Sequence, residues 1–297
     1  MKSISLFGAT TPSGQAFIKH LSSSTTFDSI YLCSRSSSDY YIDLGDFSSF
    51  DSFQGFASDS ICVSFAPIWL FAPFLEYLFK NHPSRLSSLN GIVACSSSSV
   101  ITKRFAFNRY DRNLVAKLHS SENLLLDLCK RLRIPCKILQ PTLIYGSVGN
   151  YSDRNLSRIL HLLQFLPFLP LPARTGLRQP IHSLQLASVS ASIAEKMYFN
   201  PETLHENGCI ALGGDVVLSY KSMIDTLLLA QPVNHLAKYT FIFVIPNRLF
   251  FLIISPLLII SPKVYESFLR MCSDLSGFLP SCKILDSEPQ PFPLSDN

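Results

Sequence analysis

The chain is 297 residues long, enough for one large α/β domain with a smaller appended lobe and a full buried core. Its formal charge of +4 is small for that length, and no Lys/Arg block is interleaved with aromatics, which argues against a nucleic-acid partner. Charged residues make up only 15% and mean hydropathy is +0.25, so membrane contact has to be considered, chiefly in the C-terminal half.

The eight cysteines (Cys33, Cys62, Cys95, Cys129, Cys136, Cys209, Cys272 and Cys282) form no Cys-x-x-Cys pair, and several lie in apolar runs such as Ile61-Cys62-Val63. Such thiols read as buried and reduced, which points to a cytoplasmic protein, and no metal site is expected. The few apolar residues between Lys2 and Gly8 are too short a run for a signal-peptide core.

In chain order, the pattern first predicts a strand over 4–7, a turn over 8–14 and a helix over 15–21. A dinucleotide-binding turn needs one glycine for the bend, one for backbone approach to the pyrophosphate and one for close helix–strand packing. Gly8 and Gly14 fit the first and last roles, Thr11 stands in the middle place, Pro12 and Ser13 are further cofactor-binding candidates within the turn, and the N-terminal N–H groups of the helix that follows would face the phosphates. A second strand over 29–33 runs into Ser34 and Arg35, followed by Ser36, Ser37 and Ser38. An NAD site usually carries an acidic residue here for the ribose 2′-OH, whereas Arg35 favours a 2′-phosphate, so NADP is expected, with NAD as the alternative.

A short β-type run over 40–42 would place Asp43 and Leu44 near an adenine ring. A buried strand over 60–65 is closed by Ala66-Pro67, a helix follows over 69–79, and a strand over 92–95 runs into Ser96, Ser97, Ser98 and Ser99. Leu114, Leu118, Ser121, Leu125, Leu128 and Leu132 mark one face of a long helix, and a strand over 136–139 leads into Gln140-Pro141-Thr142-Leu143-Ile144-Tyr145-Gly146. Strands alternating with helices predict an α/β, doubly wound parallel sheet of Rossmann type. Residues 1–148 form the expected nucleotide-binding core. Residues 149–297, Pro-rich at their start, are expected to form a second, small C-terminal lobe whose chain returns to the core around 178–212.

The apolar run over 239–261 is divided by Pro246 and Pro256 and carries Arg248 near its middle, which weighs against a spanning helix. A strand over 239–245 and a helix from Pro246 through Ile254 are expected instead. The stretch 246–261 then either covers the lobe or makes peripheral contact with a membrane surface. The last dozen residues, with Pro and Ser, read as a disordered tract.

The turn from Gly8 to Gly14, the serines 96–99, the segment Gln140 to Gly146, Arg178-Gln179-Pro180-Ile181-His182, and Leu212-Gly213-Gly214-Asp215 with Leu218-Ser219-Tyr220 fall in a fixed order. Together they resemble the NAD-dependent epimerase/dehydratase family, the extended or atypical short-chain dehydrogenases that are often nucleoside-diphosphate-sugar epimerases. The resemblance implies that Gly8, Thr11 and Gly14 hold the pyrophosphate, Arg35 the 2′-phosphate, and Ala66 and Pro67 the ribose side. It sets Ser96, Ser97 and Ser98 beside the nicotinamide, with Ser98 at the catalytic serine, and lines the nicotinamide pocket with Pro141, Thr142 and Ile144. Asn155 and Arg178 are the implied contacts to a small-molecule substrate such as a nucleotide sugar, and Lys103 is a further candidate cation. A closing helix and a Pro-Phe tail packed on the lobe are also implied.

One departure concerns the chemistry. Active members of the family carry a Tyr-x-x-x-Lys pair in which tyrosinate takes the substrate hydroxyl proton. With Glu122 as the family's marker, these positions are Leu114 and Leu118. Tyr110 and Lys117 are then the candidates for a relocated acid/base. The other reading is a cofactor-binding protein with little or no turnover that serves as a redox sensor, an assembly factor or a membrane-peripheral subunit.

Overall fold

The computed structural model describes residues 2–36, 39–153, 155–200, 207–233 and 235–294, so Ser37 and Ser38 and the last three residues of the tail lie outside it. Eight strands form the main sheet: β1 (Ser3–Phe7), β2 (Ser29–Ser34), β3 (Tyr40–Tyr41), β4 (Ser60–Ser64), β5 (Leu89–Cys95), β6 (Cys136–Pro141), β7 (Gly208–Gly213) and β8 (Leu279–Pro280). Their order is β8-β7-β6-β5-β4-β1-β2-β3, and every neighbouring pair is parallel.

Parallel strands covered on both faces must be apolar at successive positions, and these are. Ile4, Leu6, Ile61, Val63, Val93 and Leu139 face one layer, α1 (Pro12–Ser22) and α4 (Ser183–Phe199). Phe7, Cys62, Ile92, Ala94 and Ile138 face the other, α2 (Ile68–Asn81) and α3 (Arg109–Leu132). The Phe7 ring meets Phe71 at 5.1 Å and Phe74 at 5.7 Å between centroids, anchoring α2 against β1. This is the α/β Rossmann-like architecture that the strand–helix alternation predicts.

The chain leaves β1 toward β2 and β3, then returns to lay β4 on β1's other side. Strand order reverses between β1 and β4, and at such a switch point a crevice opens beyond the strands' C-terminal ends.

The second half of the chain is divided between layers. Helix α4 and strand β7 belong to the sheet sandwich, and β8 with the helix Ser281–Leu285 extends it at the edge. The lobe between them has its own core of Tyr145, Leu156, Leu163, Met223, Ile224 and Leu227, and pairs Phe168–Pro172 in parallel with Phe241–Ile245. The helix expected from Pro246 continues beyond Ile254. It comprises α5 (Asn247–Ile254), a turn of helix at Leu257–Ile260 and α6 (Pro262–Cys272). Phe250 and Ile254 point inward from α5, while Leu249, Leu252 and Ile253 are exposed, so core packing accounts for one side only. Among the described residues no helix is long and apolar enough to cross a membrane.

The tail corrects its compositional reading. The Gln290 amide donates to Asp215 Oδ2 at 3.0 Å, the Leu294 amide to the Tyr145 hydroxyl at 3.0 Å, and Phe292 sits edge-on to Tyr145. Proline and serine are compatible with an ordered strap once a half-buried carboxylate and an aromatic ring receive it.

Candidate functional site

Two steric facts fix the first turn. Gly8 has φ +78°, and a Cβ there would lie 2.6 Å from the Ala66 nitrogen; a Cβ on Gly14 would lie 2.3 Å from the Gly8 carbonyl oxygen. The bend and the close helix–strand approach therefore both require glycine. Thr11 caps α1: its hydroxyl donates to the Gly8 carbonyl at 2.8 Å and accepts the Gly14 amide at 3.0 Å. What reads in the sequence as a missing glycine is an N-cap that ties the turn together.

Beyond β1 and β4 opens a cleft of about 600 Å³. Thr11, Pro12 and Ser13 line it from α1, Arg35 from the end of β2, Ala66 and Pro67 from the end of β4, Ser96 and Ser97 from the end of β5, and Ile144 from the segment after β6. Ser97 and Asn155 also line a second chamber of about 360 Å³, with Ser98, Lys103, Thr142 and Arg178. The fold thus gathers most of the candidate residues into two adjoining spaces, one on the scale of a dinucleotide and one smaller.

Several candidates stand elsewhere. The Asp43 carboxylate accepts the Gly45 amide at 2.9 Å, and Leu44 packs on the aromatic core, so neither lines the cleft. Pro141 is buried, and its carbonyl accepts the Ser98 amide at 3.0 Å. Tyr110 is 61% exposed on the first turn of α3, with Lys263 Nζ 3.5 Å from its ring centroid. Lys117 is exposed, its Nζ 5.0 Å from the Trp69 ring centroid. Helix periodicity explains this: α3 turns Leu118 and Glu122 toward the sheet, which leaves Tyr110 and Lys117 outside both spaces.

Leu118 lines the wide cleft and is buried there. One turn on, buried Glu122 accepts the Ser96 hydroxyl at 2.5 Å and the Gln140 side-chain amide at 2.9 Å. Cys95 also lines this cleft, but burial pushes its thiol up to about 12, so it stays protonated at neutral pH.

The cations of the small chamber are engaged. Lys103 Nζ lies 2.9 Å from Oδ1 of fully buried Asp111. Arg178 donates to the carbonyls of Leu177 at 2.7 Å, Ser273 at 2.8 Å and Arg270, and stacks on Tyr220. Its guanidinium is thereby committed to the backbone of the C-terminal segment, and the bidentate fork expected for a diphosphate is not free. Burial lowers the Arg178 pKa from its ordinary value, with nearby Tyr220 and Asp274 opposing the shift. Burial also raises the Tyr220 phenol, against the opposing charge of Arg178. Trp69 in the wide cleft and Gln179 and Tyr220 in the chamber were not found as site residues in the sequence. Gln179 and Tyr220 belong to the Arg178–His182 and Leu218–Tyr220 motifs, and the place of Tyr220 beside Arg178 depends on long-range pairing of Leu177–Arg178 with Leu218–Ser219.

His182 caps α4, its Nδ1 accepting the Leu184 amide at 3.1 Å while Gln185 accepts the His182 amide at 3.0 Å. Asp215, from the Gly-Gly-Asp segment, accepts from Gln185, Ser281, and the amides of Cys282 and Gln290.

No protein-family model matches the chain, and no curated protein does. Solved structures do. Gre2 from Candida albicans in complex with NADPH is 13% identical, with a TM-score of 0.64 over 98% of this chain and 95% of its own. The GDP-mannoheptose C4 reductase MlghC from Campylobacter jejuni, with NADP bound, is 14% identical (TM-score 0.58; 83% and 87% covered). A dTDP-glucose 4,6-dehydratase from Bacillus anthracis in complex with NAD is 14% identical (TM-score 0.54; 83% and 85% covered). The chain shares its fold with NAD(P)-binding nucleotide-sugar enzymes. At these identities the likeness establishes the architecture alone.

Proposed function

We propose that this protein binds NADP(H) in the wide cleft, accepts a small-molecule substrate of the nucleotide-sugar class in the adjoining chamber, and turns it over weakly or not at all. The observation that carries the reading is the wall of the wide cleft, where Arg35 lines one part and Leu118 another. The Gly8 and Gly14 positions admit no side chain, and the turn they form leaves Thr11, Pro12 and Ser13 lining the cleft, which fits a pyrophosphate. Arg35 supplies a cation for a 2′-phosphate, Ala66 and Pro67 flank the ribose, and Ser96, Ser97 and Ile144 line the nicotinamide end. A bound nicotinamide would supply hydride transfer.

Leu114 and Leu118 stand at the tyrosine and lysine positions of the family's pair; a leucine in place of the tyrosine cannot relay a proton, and loss of such an acid/base group is worth roughly 10²–10⁴ in rate. Tyr110 and Lys117 lie outside both spaces, so the low-turnover reading has the better support, with Ser98 and Tyr220 among the hydroxyls that line the chamber. Lys103, Asn155 and Arg178 bound the substrate, Arg178 by shaping the wall. The buried thiols Cys33, Cys62, Cys129 and Cys136 fit a cytoplasmic protein, and the exposed side of 246–261 fits peripheral membrane contact.

Fluorescence titration tests the cofactor assignment. NADPH is expected to bind more tightly than NADH, and Arg35→Ala to weaken NADPH roughly tenfold or more with little effect on NADH, as expected for a charged hydrogen bond. Equal affinities in the unaltered protein, or no binding, would overturn it. Robust turnover of nucleotide sugars would overturn the low-turnover reading.

A further inference from the structure

The apolar surface extends well beyond 246–261. In the parallel pair of the lobe, Phe168 is in register with Phe241 and Pro170 with Phe243, and all four are exposed, while Leu169 and Ile242 pack into the lobe's core. In-register residues of paired strands share a face, so these side chains form one outward apolar sheet face. Helix α5 packs beside it and adds Leu252, and the following turn ends in Ile259 and Ile260, 88% and 77% exposed. Exposed apolar side chains gathered on neighbouring elements in this way mark an interaction surface.

Charge identifies the partner. The sequence has no Asp or Glu from Thr226 to Tyr265, nor from Asn155 to Ala194, although the rest of the chain is acidic and basic in near-equal numbers. The cations remain. Arg174 and Arg248 are both exposed, and the Arg174 amide donates to Asn247 at 2.9 Å, which sets the two arginines together at the start of α5. Consecutive isoleucines that protrude from a helical turn have few protein neighbours and suit insertion among acyl chains, with arginines at headgroup level.

We infer that the lobe sheet face, α5 and the turn Leu257–Ile260 form a single docking platform for an anionic bilayer surface, with Ile259 and Ile260 inserted and Arg174 and Arg248 on lipid phosphates. The inference rests on the peripheral-contact reading above and deepens it by naming the lipid class and the cationic contacts.

Co-sedimentation of the full chain tests it with two sets of vesicles, phosphatidylcholine alone and phosphatidylcholine with about one third phosphatidylserine. Preferential binding to the anionic set is expected. Arg174→Ala with Arg248→Ala should weaken it roughly twenty-five-fold, at about a fivefold loss per surface cation. Ile259→Asn with Ile260→Asn should abolish binding while leaving the thermal midpoint unchanged, since neither residue packs in a core. Equal binding to both vesicle sets would overturn the anionic platform and leave peripheral contact standing. Binding to neither would overturn both. Concentration-dependent dimerisation lost in the isoleucine variant, without vesicle binding, would show that a second copy covers the surface.

Discussion

Gly14 and Leu118 mark the two ends of what single residues decide here. Gly14 lets α1 lie against the turn, and any side chain there meets backbone that cannot swing aside. Gly14→Ala should therefore displace α1, costing about 1–3 kcal/mol as overpacking does, and should lower NADPH affinity together with the thermal midpoint. Titration and thermal unfolding of the same variant check this, and a variant with both properties intact would contradict the geometry. The glycine roles were legible because sterics act locally and spacing displays them. Thr11 was misleading for the opposite reason, since capping depends on where a hydroxyl points rather than on which residue occupies the place.

At the scale of elements, α3 shows which inferences periodicity supports. Leu118, Leu125 and Leu128 are buried as their spacing predicts, and the helix starts earlier than the apolar face because Asn108 caps it and accepts the Asp111 amide at 2.8 Å. Lys117 was a catalytic candidate because it lies three residues after Leu114 on the helix, but α3 turns it outward and exposed. Glu122 is the functional-looking residue on the buried face. Its carboxylate is held by Ser96 and Gln140, so it braces the cleft wall from behind. Glu122→Leu should leave Ser96 and Gln140 without their acceptor and cost about 1–3 kcal/mol, with Ser96→Ala costing less because Gln140 keeps its partner. Urea unfolding of the two variants gives this ordering. The reverse ordering would mean that Glu122 is not what secures the wall.

For the molecule as a whole, two carboxylates, fully buried Asp111 and half-buried Asp215, join distant parts of the chain. Asp111 on α3 meets Lys103 at 2.9 Å and Arg270 of α6 at 3.1 Å, and Glu266 of α6 accepts the Asn108 amide at 2.5 Å. Asp215 holds β8's following helix and the C-terminal strap to β7. Neither link was visible in the sequence, because each unites residues far apart in the chain and only the packed lobe brings them together. Burial alone would raise both carboxyls. At Asp111 it is outweighed by Asn108, Lys103 and Arg270, and at Asp215 by Ser281 and the amides of Gln290 and Cys282, so both pKa values lie below the usual carboxylate range. A lowered folded-state pKa gives stability that is present above the unfolded value near 4 and is lost as pH falls through the folded value. Unfolding free energy should accordingly be flat near neutrality and fall with acidification from about pH 5 downward, each carboxylate contributing a slope of up to about 1.4 kcal/mol per pH unit. Asp111→Asn should cost about 3 kcal/mol at pH 7, because it leaves Lys103 and Arg270 without their buried counter-charge, and should make the acid limb shallower. Urea titrations of both proteins between neutral and acid pH measure the two slopes. An unchanged acid limb in Asp111→Asn would mean that the lobe is held to the core by packing and not by this ion pair.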